Sequence, residues 1–204
     1  LLKCQSLIED CKVFLRGWDY PHFDHVVSGQ DYIWSKTDWE IYKQYWRFYR
    51  SGQFVDYHGC VEDWWRGSTI DVELGKRYGP GEVLEVIMVL YQLTEIYEFA
   101  SRLAQKQVFD GQMSLTIELR GMRGRKLVFL GKPFFGALGP YVSEEDASKF
   151  EATFVIQDLI ARAPELALEQ SLRVFELFNW RDARLPENVS SLRDDQRHLL
   201  ERRL

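Results

Sequence analysis

At 204 residues, with 46% hydrophobic and 28% charged side chains, the chain has the composition of one globular domain, which excludes wholesale disorder. A formal net charge of −5 excludes a generally basic, nucleic-acid-coating surface and leaves room only for a local basic patch. The three cysteines, Cys4, Cys11 and Cys60, form no CxxC pair, so buried reduced thiols are expected in place of a disulfide framework or a cysteine zinc site.

Leu2 to Leu15 reads as an amphipathic helix with Leu7, Ile8, Cys11, Phe14 and Leu15 on one side, stopped by Gly17. From Trp18 to Gln30, with Pro21, Ser28 and Gly29, an irregular connection or a short edge strand is expected. Thr37-Asp38-Trp39-Glu40 fits a capping box and predicts a helix from Asp38 to about Tyr45. A strand then runs from Trp46 through Tyr57, with Ser51-Gly52 as a bulge or close-approach point. A helix continuing to Arg50 is the alternative. The stretch from Thr37 to Trp65 holds Trp39, Trp46, Trp64 and Trp65 among many tyrosines and phenylalanines, so it is the expected packing centre.

Residues 66–81 are glycine-rich loop, with a short strand at Thr69 to Leu74. Glu82 opens the longest helix, to about Lys106. Its first half is apolar almost all round, and the helix is therefore central. Met113 to Arg120 and Arg125 to Leu130 alternate with period two around Gly121-Met122-Arg123-Gly124, which predicts a β-hairpin. Lys132 to Pro140 is loop, Ser143 caps a short acidic helix, and Glu151 to Ile156 is a further strand of the same antiparallel sheet. Pro164 fits the first turn of another helix. The sum is an α+β fold: a small antiparallel sheet against a long central helix, one domain over residues 1–180, and a polar tail or surface helix over 181–204.

Few motifs carry chemistry. His22-x-x-His25 in a loop is a poor metal motif, and no metal or cofactor is expected. No GxSxG elbow or phosphate loop occurs, and Gly75 to Gly81 lacks the hydroxyl that such a loop needs. Asn188-Val189-Ser190 matches a glycosylation sequon but has no signal-peptide pattern before it. No apolar run approaches the roughly 20 residues that span a bilayer, so no membrane partner is expected and the expected location is cytoplasmic. The chain opens Leu1-Leu2, which fits a processed product or a piece of a longer protein with a covalently linked domain.

Three functional readings follow. The first is a non-catalytic sensor or interaction domain, with a groove beside Arg47, Arg50, Gln53 and His58 that takes a ligand or a protein partner; self-association is left open. The second is direct nucleic-acid binding through Arg120, Arg123, Arg125 and Lys126 at the hairpin turn, with Lys132 following. The third is a metal-dependent nuclease or hydrolase using Asp56, Glu62 and Asp63.

The segments WRFYRSGQFVDYHGCVEDW, EVIMVLYQLTEIYEFASRLA, LTIELRGMRGRKLV and ELALEQSLRVFELFNW resemble the C-terminal region of bacterial proteins that carry an N-terminal AlbA-like, Schlafen-type DNA-binding domain. That domain is not visible in this sequence. The resemblance implies an accessory, bacterial, cytoplasmic part of a DNA-associated or defence-related protein, and it assigns no active-site residue.

Overall fold

The structure is a computed structural model and describes residues 1–40, 42–64, 78–129 and 141–202. The strand expected at Thr69 to Leu74, most of the Gly75 loop, Trp65, and the loop at Lys132 to Pro140 lie outside the described residues.

The fold is α+β. Helix α1 (Leu2–Cys11) leads into the short paired strands β1 (Val13–Phe14) and β2 (Asp19–Tyr20). Strands β3 (Val27–Ser28), β4 (Tyr32–Asp38), β5 (Lys43–Tyr49) and β6 (Phe54–His58) form a four-stranded antiparallel meander in sequence order. Strand β7 (Val83–Glu85) precedes helix α2 (Val86–Gln105), followed by β8 (Gln112–Arg120) and β9 (Lys126–Val128). Strands β10 (Tyr141–Val142) and β11 (Ala147–Val155) come before the last two helices, α3 (Ile156–Glu176) and α4 (Pro186–Glu201).

Helix α2 is the axis of two hydrophobic cores. Val86, Val89, Leu90 and Leu93 pack with Leu168, Leu172, Phe175, Trp180 and Leu192 beneath α3 and α4. Further along, Tyr97, Phe99, Ala100 and Leu103 join Tyr20, Ile33, Trp46 and Phe48 under the four-stranded sheet. The aromatic stretch therefore covers only the C-terminal half of the helix. Glu85 starts α2 by accepting a hydrogen bond from the Met88 amide at 2.7 Å, so the helix begins four residues later than expected and Val83–Glu85 is strand.

Several sequence expectations need correction. No helix starts at Asp38: Tyr32–Asp38 and Lys43–Tyr49 are paired strands, and Ser51-Gly52 lies in a hairpin turn, not a bulge. The helical spacing of Trp39, Tyr42, Trp46 and Tyr49 coincides with a period-two pattern in which Gln44, Trp46 and Phe48 are buried and Tyr45, Arg47 and Tyr49 are not. Sheet pairing overrides a local capping signal there, since seven cross-strand pairs form between β4 and β5. Gly52 has φ +89, the left-handed region the turn requires.

The two strands of the expected hairpin exist but do not pair with each other. β8 pairs with β11 along nine residues, whereas β9 lies between β10 and β7 in a mixed sheet. The turn at Gly121–Gly124 is held by amides of Met122 and Gly124 donating to carbonyls of Asp146 and Ser143, which sends the chain out of β8's plane. Residues 144–146 are irregular, and the Ser143 hydroxyl caps no helix there; it donates to the Glu145 carbonyl at 3.0 Å. In α3 the backbone breaks at Arg162, so Pro164 sits in the first turn of the second segment. The C-terminal region is no loose tail: Leu192 and Leu199 are buried, and Gln196 donates to the Thr94 hydroxyl and the Pro164 carbonyl at 3.0 and 2.8 Å.

Candidate functional site: the two faces of the four-stranded sheet

Cross-strand partners in an antiparallel sheet share a face. The register pairs Gln44 with His58, Trp46 with Asp56 and Phe48 with Phe54, and these point inward; Tyr45 with Tyr57 and Arg47 with Val55 point outward. The sheet thus divides the residues expected to line one groove. Arg47 is on the outer face, His58 is on the inner face, and Arg50 and Gln53 sit exposed at the connecting turn.

On the inner face several buried polar groups bond to one another. Asp56 accepts from the Tyr20 hydroxyl and from Gln44 Nε2, both at 3.0 Å. Gln44 Oε1 in turn accepts from the His22 amide at 2.8 Å and the Tyr42 hydroxyl at 3.0 Å. The Trp46 indole donates to the His22 carbonyl at 2.7 Å. Burial pushes the Asp56 carboxyl up to about 7 against the two donors that favour its charged form. Burial, helped by the nearby Arg16 charge, drives His58 down to about 3, so its imidazole is neutral. That ring stands edge-on to Tyr42 at 5.0 Å. Arg16 itself meets the buried Glu95 at 2.5 Å. Every oxygen of Asp56 is engaged within the protein, which suits a structural network and not a hydrolytic centre.

The other acids are equally committed. Glu62 is buried and accepts from the Glu85 amide at 2.8 Å. Asp63 approaches Arg125 at 2.7 Å as an ion pair whose angle makes no hydrogen bond. Asp56 lies apart in the inner-face network while Glu62 and Asp63 sit side by side near Arg125, and among the described residues no cluster of three metal-ligating side chains forms.

The basic turn is also divided. Arg125 is buried and donates to the Gly121 carbonyl at 2.7 Å, so it is a strut inside the fold. Arg120 is exposed and pairs with Glu118 at 2.8 Å. Arg123 and Lys126 remain exposed, but the exposed acids Glu144, Glu145 and Asp146 belong to the segment that clamps this turn. The local charge is mixed, which weakens the turn as a phosphate clamp.

The outer face is different. Tyr32, Trp34, Tyr45, Tyr49 and Tyr57 stand on it, with neighbouring rings 5.4 Å apart for Tyr32–Tyr49, 5.6 Å for Trp34–Tyr45 and 6.2 Å for Tyr45–Tyr57. The Arg47 guanidinium lies 4.9 Å over Tyr32 and 5.2 Å over Tyr45 and donates to the Tyr45 hydroxyl. The hydroxyls of Tyr49 and Tyr45 raise its pKa further, and no carboxylate partners it among the described residues. Lys36 and Lys43 share this face and both contact Asp38, at 3.1 and 2.5 Å. Three cations thus face one acid on a chain whose formal net charge is −5. Tyr57 is 67% exposed.

Trp34, Tyr32 and Tyr45 were missed as site residues in the sequence. The signal was the alternation Lys43-Gln44-Tyr45-Trp46-Arg47-Phe48-Tyr49, hidden by reading the first part as helix. No protein-family model, curated protein or solved structure matches the chain. No helix among the described residues is long and apolar enough to cross a membrane.

Proposed function

We propose that this chain is a non-catalytic interaction domain that binds single-stranded nucleic acid on the outer face of the four-stranded sheet. One observation carries the reading: Arg47, held in a cradle of tyrosines without a carboxylate partner among the described residues, stands in the middle of an open aromatic face. Bases stack on exposed rings, at about 1–3 kcal/mol per base, while guanidinium and ammonium groups meet the phosphates. Arg50 and Gln53 flank this face at the β5–β6 turn; His58 takes no part. A DNA-associated or defence-related setting, bacterial and cytoplasmic, follows from the resemblance of the four segments and belongs to the same proposal.

A second reading, an acidic protein segment on the same face, draws on its composition, because Trp, Tyr and Arg dominate protein-interface hot spots. Fluorescence anisotropy of labelled oligothymidine and oligouridine at low salt, beside a labelled oligoglutamate, separates the two. Nucleic-acid binding that weakens about tenfold in Arg47→Ala, and whose log–log salt slope falls by about one, supports the first reading. Arg123→Ala leaves affinity nearly unchanged. Oligoglutamate binding without nucleic-acid binding favours the second, and binding of neither rejects both.

A further inference from the structure

At the edge of the inner face, away from the outer surface, Trp18, Trp39, Glu40, Tyr42 and Val61 wall an open cleft of about 280 Å³. Tyr42, 4% exposed, is its floor. Trp18 stands edge-on to Tyr42 at 5.6 Å and 63°, and Trp39 is tilted against it at 6.0 Å and 44°. His22 braces Trp39 edge-on at 4.3 Å, yet Trp39 keeps 46% of its surface open. Both tryptophan rings are thus inclined to the Tyr42 ring. Glu40 is the one charged group among the described lining residues.

We propose that this cleft is an aromatic cage for a quaternary ammonium headgroup. Ring faces present negative quadrupole density, and a carboxylate at the rim adds full charge of the same sign, so the lining complements a cation. A methylated ammonium suits it better than a bare lysine ammonium, because the bare group is strongly hydrated and gives up more on entering an apolar cleft. An anion meets Glu40 unfavourably, and a neutral apolar group makes no use of it. A cation already associates with a ring of this lining: Arg16 lies 5.1 Å from the Trp18 ring centre. Arg16 is neutralised by Glu95 at 2.5 Å, so it presents no unopposed positive charge to an incoming one.

A free small molecule and a methylated lysine side chain both carry this headgroup. Calorimetric titration of the full chain with choline, with Nα-acetyl-trimethyl-lysine amide, and with 3,3-dimethylbutanol as the neutral isostere of choline tests the cage. The expected result is binding of at least one cation, with the neutral isostere about tenfold weaker. Choline alone identifies a free ligand as the source; the lysine derivative, alone or with choline, identifies a modified side chain. Trp39→Ala and Glu40→Gln, both at exposed positions, weaken cation binding while the outer-face affinity for oligothymidine stays unchanged. The cage is overturned if neither cation binds, if the isostere binds as well as choline, or if Trp39→Ala leaves cation affinity intact. Because the cleft and the outer face are read by different probes, failure of one leaves the other standing.

Discussion

Asp56 and His58 lie two residues apart on one strand, share the inner face, and titrate in opposite senses. For Asp56 the folded value is about 7 against an ordinary 3.8. As pH rises between these values the unfolded chain gives up a proton that the folded chain keeps, and stability falls. For His58 the folded value is about 3 against 6.5. As pH falls through that window the unfolded chain takes up a proton that the folded chain refuses, and stability is lost toward acid. Between 3.8 and 6.5 the two slopes oppose each other, each up to about 1.4 kcal/mol per pH unit, so together they nearly cancel. Removing either group exposes the other. Relative to the parent chain, Asp56→Asn gains stability as pH rises through this window, whereas His58→Gln loses it. Urea unfolding across pH 4 to 6.5 checks both signs, the window being set by the same two groups. Equal slopes in all three proteins would remove the network from the account.

Among the elements, α4 and the Arg125 strut separate what was legible in the sequence from what was not. The long central helix was legible because its apolar positions persist over many turns, and so were β8 and β11 from their alternation. Pairing was not. The sequence between β8 and β9 looks like a hairpin turn, and the contacts that redirect it come from Asp63 and residues 143–146, distant along the chain. Likewise the Thr37 capping signal is local, whereas the partners that make Tyr32–Asp38 a strand lie across the sheet. For the candidate site, Arg47 was legible as a polar residue in an aromatic run. Its separation from His58 depends on register, which a single shift of one residue would reverse. Helix α4 read as polar because Leu192 and Leu199 are the apolar members of its buried set, beside Asn188 and Gln196. Leu192→Ala is therefore expected to cost about 2–5 kcal/mol, the range of a core truncation, and to lower the thermal midpoint. Arg125→Ala leaves Asp63 and the Gly121 carbonyl without their partner and destabilises by about 1–3 kcal/mol, while the exposed Arg123→Ala does so by no more than about 0.5 kcal/mol. Thermal unfolding of the three variants orders them.

On the scale of the whole molecule, charge and aromatic surface are segregated. A chain of formal net charge −5 keeps three cations against one acid on the outer sheet face and surrounds Arg47 there with rings. The inner face turns its tyrosines, Gln44 and Asp56 toward one another and closes. One sheet therefore offers a buried, internally bonded side to the fold and a basic, aromatic side to a partner. Because the remainder of the chain is acidic, binding through this face should be strongly salt-dependent and confined to it. Ultraviolet crosslinking of the full chain to an oligonucleotide carrying 5-iodouracil, followed by peptide mapping, tests this most directly. The account predicts crosslinks to Trp34, Tyr45 and Tyr57 that disappear at high salt. Crosslinks confined to the 120–126 turn or to the α3–α4 side, with none on β4 to β6, would contradict it.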